Sequence, residues 1–177
     1  MKLNKEIMRE WKQSPISFIR DVWGLIPQPL ICKEQHEHNV KCYGEFIKGQ
    51  HITWQQRQIL EAVEKGLRGE APKRISVAAG HGIGKSALLA MFIFWFLMTR
   101  KNAQIGATSP TAAQLFDVLW KEIALWLQRL PENLKPLFEY STSYLRISES
   151  PTTWYARART ARKEASEAFS GLHGKAV

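Results

Sequence analysis

The run at residues 78–86, Ala-Ala-Gly-His-Gly-Ile-Gly-Lys-Ser, constrains the fold of this chain more than any other feature. Closely spaced glycines let a backbone turn tightly and direct successive N–H groups at phosphate oxygens, while a lysine and a hydroxyl suit a nucleoside triphosphate and its Mg²⁺. Residues 74–78 before the run are β-rich and apolar, and a long apolar stretch follows it. The sequence therefore predicts a strand, a phosphate-binding loop and a buried helix, in that order.

One position departs from the common pattern G-x-x-x-x-G-K-[ST], because Ala79 stands where that pattern has its first glycine. An ordinary glycine-rich turn ahead of a core helix is the alternative interpretation. The ending Gly84-Lys85-Ser86 favours the phosphate loop.

Composition and charge limit the class of protein. The chain has 177 residues, 45% of them hydrophobic and 23% charged, which is typical of one globular domain with its own core. Its formal net charge of +9 favours a polyanionic partner without separating nucleic acid from an acidic protein surface. We expect a cytoplasmic chain with no membrane partner, since no signal peptide is visible and the apolar run at 87–98 is shorter than the roughly 20 residues of a membrane-spanning helix.

The first half of the chain contains signals for two helices. Ser14 before Pro15 predicts a helix start, and apolar residues then recur at helical spacing until Pro27 and Pro29, which we expect to stop the helix. Residues 30–51 lack periodicity and are interpreted as a connecting arm. A second helix is predicted to begin at Thr53 and to end near Gly66.

The second half alternates strands with helices. Strands are predicted at 103–108, 144–147 and 153–156, the last one running into a basic segment. A helix capped by Ser109-Pro110-Thr111 and ended by Pro131 is predicted between the first two strands. This alternation predicts a parallel sheet covered on both sides.

Four segments, taken in order, resemble the N-terminal ATPase region of the large terminase subunit of tailed bacteriophages. They are Trp-Gln-Gln-Arg-Gln-Ile-Leu at 54–60, the loop at 79–86, Ser-Pro-Thr at 109–111 with Gln114, and Glu-Ala-Phe-Ser-Gly-Leu-His-Gly at 167–174. The resemblance implies an α/β P-loop NTPase fold of the additional-strand (RecA/ASCE-like) class, with an incomplete parallel sheet flanked by helices. It divides the chain into an N-terminal helix and connecting arm at 1–51 and a partial P-loop ATPase domain at 52–177.

The same resemblance implies a nucleotide site. Lys85 takes the γ-phosphate contact, Ser86 the Mg²⁺ contact, and Gln56 a place near the adenine with Trp54 as a flanking aromatic. An alternative stays open for Gln56, because Thr53-x-x-Gln56 is also a capping box; Thr111-x-x-Gln114 allows the same interpretation. Many family members have arginine where this chain has His81, so no arginine role is transferred. The implied loop contacts are Gly80, His81, Gly82, Ile83, Gly84, Lys85 and Ser86.

By resemblance, the cofactors are ATP and Mg²⁺, and the partners are double-stranded DNA, the portal protein, the small terminase subunit and further copies of the chain. The location is then the cytoplasm of an infected or lysogenic bacterium. The competing hypothesis is a non-enzymatic basic module that binds DNA or a packaging partner. A helicase-like P-loop ATPase fits the Trp-Gln and Gly-Leu-His-Gly segments less well.

Hydrolysis in this enzyme class needs an apolar strand that ends in a carboxylate for Mg²⁺, followed by a glutamate that orients the attacking water. No Asp-Glu pair follows the loop, and the nuclease domain of terminases has no counterpart in these 177 residues. We therefore expect weak or conditional nucleotide binding and no competent hydrolysis by this chain alone, and name no catalytic residue.

A cysteine and histidine cluster is a candidate zinc site. Its four members are Cys32, His36, His38 and Cys42, whose spacing is not a standard zinc pattern. Reduced thiols and solvent-facing histidines are the favoured interpretation in a cytoplasmic chain.

A basic segment beside two aromatic residues, Trp154 and Tyr155, is a candidate contact for DNA phosphates. A solvated basic face is the favoured interpretation. Its members are Arg157, Arg159, Arg162 and Lys163.

Overall fold

The computed structural model describes residues 3–27, 51–72, 74–80 and 82–160. They belong to two compact units, the first ending at Lys85 and the second beginning at Ser86. Several sequence predictions concern residues outside these ranges: the connecting arm up to residue 50, the four candidate zinc ligands at 32–42, His81, Arg162, Lys163 and the segment at 167–174.

The first unit opens with two short helices that share Ser14 as a boundary. Helix α1 (Lys5–Gln13) begins after Asn4, whose side chain accepts the Ile7 N–H at 2.8 Å. Helix α2 (Pro15–Trp23) begins after Ser14, whose hydroxyl accepts the Ser17 N–H at 3.0 Å. The predicted start of α2 is confirmed, whereas α1 was not predicted.

Helix α2 ends at Trp23, before Pro27 and Pro29, which we expected to stop it. Gly24 follows Trp23 in the left-handed conformation, with φ of 69°, and its N–H donates to the Arg20 carbonyl at 2.8 Å. A glycine at this position closes a helix without the steric cost that a side chain would add. The two-residue strand β1 (Ile26–Pro27) then pairs in parallel with β2 (His51–Ile52).

The core of the first unit joins α1 to α2 through aromatic side chains. Trp11 and Phe18 are fully buried and meet edge-to-face with ring centroids 5.0 Å apart. The Trp11 indole also donates to Asp21 at 2.9 Å. Burial acts to raise the pKa of the Asp21 carboxyl, but hydrogen bonds from Arg20 and Trp11 act against it and hold the pKa below its ordinary value.

Helix α3 (Trp54–Leu67) is the third described helix of this unit. Its capping box is formed in both directions: the Thr53 hydroxyl accepts the Gln56 N–H at 3.2 Å, and the Gln56 amide oxygen accepts the Thr53 N–H at 3.0 Å. The Ser14 hydroxyl donates to Glu64 at 2.5 Å and ties α3 to the start of α2. The predicted helix start at Thr53 is confirmed.

The strand predicted before the phosphate loop is absent from the described structure. Residues 74–80 are exposed and have neither helical nor strand conformation, and Ile75 and Val77 are 39% and 43% accessible to solvent. A strand exists only when a neighbouring strand takes up its backbone hydrogen bonds. No described strand pairs with this segment, so its β-rich composition is not sufficient.

The second unit is built around α4 (Lys85–Thr99), which is apolar on all sides. Phe94 and Leu97 are fully buried, and Phe94 meets Phe138 edge-to-face at 5.1 Å. The Trp154 indole donates to the Leu97 carbonyl at 2.8 Å. The buried helix predicted after the glycine run is thereby confirmed. Among the described helices, none combines the length and apolarity needed to cross a bilayer.

The sheet of the second unit contains four strands, β3 (Gln104–Ser109), β4 (Phe138–Tyr140), β5 (Tyr144–Ile147) and β6 (Tyr155–Thr160), in the order β3-β6-β5-β4. The strands at β3 and β5 were predicted close to these bounds. Strand β6 begins two residues later than predicted and includes Arg157 and Arg159, so the basic segment is part of the strand.

The sheet is mixed, which corrects the prediction of a parallel sheet. Strand β3 pairs with β6 in parallel, whereas β5 pairs with both β4 and β6 in antiparallel fashion. Short connections between β4, β5 and β6 reverse the chain at each step, because a parallel pair needs a longer crossover. Among the hydrogen-bonded strand pairs of this sheet, only β3 and β6 have helices between them in the chain. The architecture is nevertheless α/β, with the sheet flanked by helices.

The helical segment between β3 and β4 was predicted as a single helix, but its first part is a π-helix (Gln114–Trp120) that continues into α5 (Lys121–Gln128). Thr111 accepts the Gln114 N–H at 3.3 Å, which is one half of the predicted capping box, but the Gln114 side-chain oxygen accepts from the Ser109 hydroxyl at 2.9 Å. The buried Trp120 donates its indole N–H to the Ser141 carbonyl at 3.0 Å. A single 3-10 turn (Lys135–Leu137) leads into β4.

Candidate functional site

Two of the three loop glycines have a backbone conformation that favours glycine. Gly82 and Gly84 have φ of 85° and 77°, in the left-handed region that side chains other than glycine rarely adopt. Gly80 does not have a positive φ, and a Cβ there would meet open space. Glycine is therefore required by conformation at residues 82 and 84.

Lys85 is both the first residue of α4 and the cation of the loop. Its ammonium group donates to the carbonyl oxygens of Ala79 and Gly80, at 3.0 and 2.5 Å. The side chain therefore curls back over the loop rather than extending away from it. Both acceptors are uncharged, so the positive charge of Lys85 is not neutralised by them.

Gln56 connects α3 to the loop across 28 positions of sequence. Its amide nitrogen donates to the Gly84 carbonyl at 3.0 Å, while its amide oxygen is engaged in the capping box with Thr53. The side chain is only 8% exposed, and a Cβ on Gly84 would lie 2.5 Å from the Gln56 nitrogen. The Gln56 side chain thus supports the loop through this hydrogen bond. Glycine is required at residue 84 both by its positive φ and by the close approach of the Gln56 amide nitrogen.

The remaining predicted site residues are placed as follows. Trp54 is half-buried at the first position of α3, and Ile83 and Ser86 are half-buried at the loop and in the first turn of α4. The amide groups of a first helical turn have no acceptors within their own helix, which makes this end of α4 suited to phosphate oxygens.

The Ser86 hydroxyl is the only side-chain oxygen among the described loop residues 79, 80 and 82–86. Mg²⁺ in nucleotide sites takes one or two protein ligands and completes its shell with phosphate oxygens and water. One hydroxyl in the first turn of α4 therefore matches the number of protein ligands that a nucleotide-bound Mg²⁺ takes. No cluster of three or more metal-binding side chains is present among the described residues.

The contact between Gln56 and Gly84 was not predicted from the sequence. The capping box could be identified because Thr53 and Gln56 are three residues apart, but nothing in the sequence indicates which distant carbonyl the free end of that amide reaches. The basic residues of β6 are likewise accompanied by Arg146 of the neighbouring strand, which the sequence interpretation did not include.

Comparisons with known proteins gave one similarity. The chain is 26% identical over 134 residues, 73% of its length, to a protein of Enterobacteria phage P7 described as a probable terminase, large subunit. These residues span 26% of the phage protein, so the chain corresponds to about a quarter of its length. No family model and no solved structure matches the chain.

Proposed function

We propose that this chain is the ATP-binding part of a phage DNA-packaging motor of the terminase type. The observation that carries the proposal is the loop itself, where Lys85 lies over the backbone of Ala79 and Gly80 at the start of a helix. The similarity to the phage P7 protein supports the assignment to packaging. The proposed fold is correspondingly an incomplete P-loop NTPase domain.

In this proposal the residues of the site divide into phosphate contacts, a Mg²⁺ ligand and a support for the loop. Backbone N–H groups from Gly80 to Gly84, including His81 and Ile83, surround the phosphates, and Lys85 moves from the loop carbonyls to the γ-phosphate. Ser86 contributes a hydroxyl to Mg²⁺, which when bound neutralises phosphate charge. Gln56 holds the loop through Gly84.

Adenine recognition is a further part of the proposal. The Gln56 amide has a second N–H and further acceptor capacity beyond the two hydrogen bonds described above, which leaves it able to contact a base edge. Trp54, two positions earlier, is the proposed flanking aromatic residue. The proposed partners are double-stranded DNA, the portal protein, the small terminase subunit and further copies of this chain, in the bacterial cytoplasm.

The first experiment is equilibrium binding of a fluorescent ATP analogue with Mg²⁺ to the wild-type chain and to Lys85→Ala. We expect saturable binding that weakens by about 100-fold in the variant, since charge-assisted contacts to phosphate are among the stronger hydrogen bonds. Lys65→Ala is the matched control, because it removes an exposed lysine from α3 without touching the loop.

The alternative function is a non-enzymatic basic module that binds DNA or a packaging partner, and the net charge of +9 favours it. Such a module would tolerate Lys85→Ala. Absence of nucleotide binding by a wild-type chain that circular dichroism shows to be folded would contradict the motor proposal in favour of this alternative.

A further inference from the structure

A cluster of arginine and tyrosine side chains lies on one face of the sheet, across strands β5 and β6. We call it the arginine–tyrosine face and define it as Tyr144, Arg146, Tyr155 and Arg157. Antiparallel register places Tyr144 opposite Arg157 and Arg146 opposite Tyr155. Each arginine is therefore directly across from a tyrosine, and the four side chains form one compact group.

The alternation of burial along these strands shows which way the group faces. Leu145 and Ala156 are fully buried and Ala158 is 6% exposed, whereas the residues between them are half-buried or exposed. Because successive side chains of a strand point to opposite faces, the arginine–tyrosine face is turned away from the core of this unit.

A cavity of about 350 Å³ opens on this face. Its lining combines one proline with two cationic, two aromatic and two hydroxyl side chains: Pro151, Arg146, Arg157, Tyr144, Tyr155, Ser143 and Thr152. Guanidinium and hydroxyl groups at one site provide hydrogen-bond donors suited to phosphate oxygens.

The geometry of Arg146 favours phosphate recognition over base stacking. Its guanidinium lies 3.5 Å from the centroid of the Tyr144 ring, so this ring face is already covered by a cation. Stacking fixes the plane of the guanidinium while its N–H donors remain directed along that plane. Tyr144 thus orients Arg146 instead of offering that ring face to a base.

The charge around the cavity is mainly positive. Arg159 extends the basic row along β6, and Arg157 is exposed and forms no ion pair among the described residues. The residues of β3 in register with β6 on this side, Gln104, Gly106 and Thr108, are uncharged. Glu139, opposite Arg146 on β4, is the acidic residue on the same side. A polyanion is the complementary partner.

We infer that the arginine–tyrosine face binds the phosphodiester backbone of double-stranded DNA, independently of base sequence. Arg146 and Arg157 supply the phosphate contacts, with Ser143 and Thr152 as neutral donors. The choice of DNA among polyanions rests on the proposed packaging function, and the inference adds to that function the surface by which the chain holds its substrate.

The test is binding of a fluorescent 30-base-pair duplex of arbitrary sequence, measured by anisotropy over a series of KCl concentrations. Nucleotide and Mg²⁺ are omitted, so the result does not depend on the phosphate loop. For the double variant Arg146→Gln with Arg157→Gln we expect at least about tenfold weaker binding at low salt. The slope of log K against log[KCl] should fall in magnitude by about two, one for each lost phosphate contact.

Two further variants test whether a loss of DNA binding comes from this surface or from the lower net charge of the chain, and circular dichroism tests for loss of the fold. Lys121→Gln with Arg129→Gln, called the α5 variant, removes two exposed charges, one at the first residue of α5 and one just after its end, and we expect the slope to change by less than one. Arg146→Lys with Arg157→Lys keeps both charges and should retain most of the slope. Circular dichroism verifies the fold of each variant.

Equal losses in the α5 variant and the sheet variant would overturn the inference, since they would show binding by net charge alone. Tighter binding of a single-stranded oligonucleotide than of the duplex, lost in the same sheet variant, would also overturn it in favour of a base-binding site. Failure of DNA binding together with intact ATP binding would refute this surface and leave the proposed nucleotide function standing.

Discussion

At the scale of single residues, Gly84 is the most constrained position of the candidate nucleotide site. It adopts a φ of 77°, and the Gln56 amide nitrogen occupies the space where a Cβ would lie. Gly82 also has a positive φ, of 85°, but a Cβ there would meet open space. Gly80 has neither a positive φ nor a close neighbour. The three loop glycines thus provide a graded series within five residues.

We predict that alanine substitutions in this series lower the free energy of unfolding in the order Gly84, Gly82, Gly80. Forcing alanine into the left-handed region costs about 1–2 kcal/mol, which applies to Gly82→Ala and Gly84→Ala. Gly84→Ala should cost more, because it also displaces the buried Gln56 amide, while Gly80→Ala should be close to neutral. Urea denaturation followed by tryptophan fluorescence measures the three values. Equal effects at residues 84 and 80 would refute the close contact with Gln56.

At the scale of elements, the amino end of α3 and the phosphate loop share one side chain. The oxygen end of the Gln56 amide closes the capping box on Thr53, and the nitrogen end holds the loop at Gly84. Helix formation and loop conformation are thereby coupled, since the rotamer that caps the helix also directs the nitrogen to the loop.

We predict different effects for the two members of the capping box. Thr53→Ala removes the hydroxyl cap and should cost about 1 kcal/mol of stability with little change in nucleotide affinity. Gln56→Ala removes the support of the loop as well, so the affinities for ATP and GTP analogues should both fall, by about tenfold.

Fluorescence titrations of both analogues against both variants provide the measurement. A loss confined to the adenine nucleotide would contradict loop support as the main role of Gln56 and favour its proposed contact with the base.

At the scale of the whole molecule, open edges and exposed apolar residues stand out. Strand β3 is hydrogen-bonded on one side only among the described strands. In the other unit, residues 74–80 are exposed and carry Ile75 and Val77, both β-branched. Unpaired edges and extended apolar segments promote pairing between chains.

We predict that the chain associates with itself in a concentration-dependent manner and that Ile75→Lys with Val77→Lys reduces this association. Lysine introduces charge repulsion and a cost for burying an ammonium group at any contact this segment makes. Sedimentation velocity at concentrations from about 1 to 100 μM, a range in which weak association becomes measurable, monitors the effect. Leu125→Lys, at a 41% exposed position of α5, is the control; an equal response there would contradict a specific role of 74–80.

Much of the local structure is determined by the sequence alone, because the deciding interactions lie within three or four residues. Ser14 before Pro15 starts α2, and Thr53 with Gln56 starts α3, through hydrogen bonds made inside one helical turn. Glycine at residues 82 and 84 suits the left-handed conformation found there, whereas Gly80, expected to share in the turn, does not adopt it. The helix that follows the glycine run was predictable from the sequence, and the phosphate site stays a prediction.

Only the tertiary structure decided the features that depend on distant partners. Residues 74–78 have the composition of a strand but no described neighbour with which to pair, whereas Tyr155–Thr160 forms β6 because β3 and β5 lie on either side. The direction of each strand in the mixed sheet and the contact of Gln56 with Gly84 likewise depend on distant partners, and the register of β5 on β6 puts Arg146 and Arg157 on one face. Strand pairing and side-chain contact are satisfied between segments, so their outcome depends on which partners the fold brings within reach.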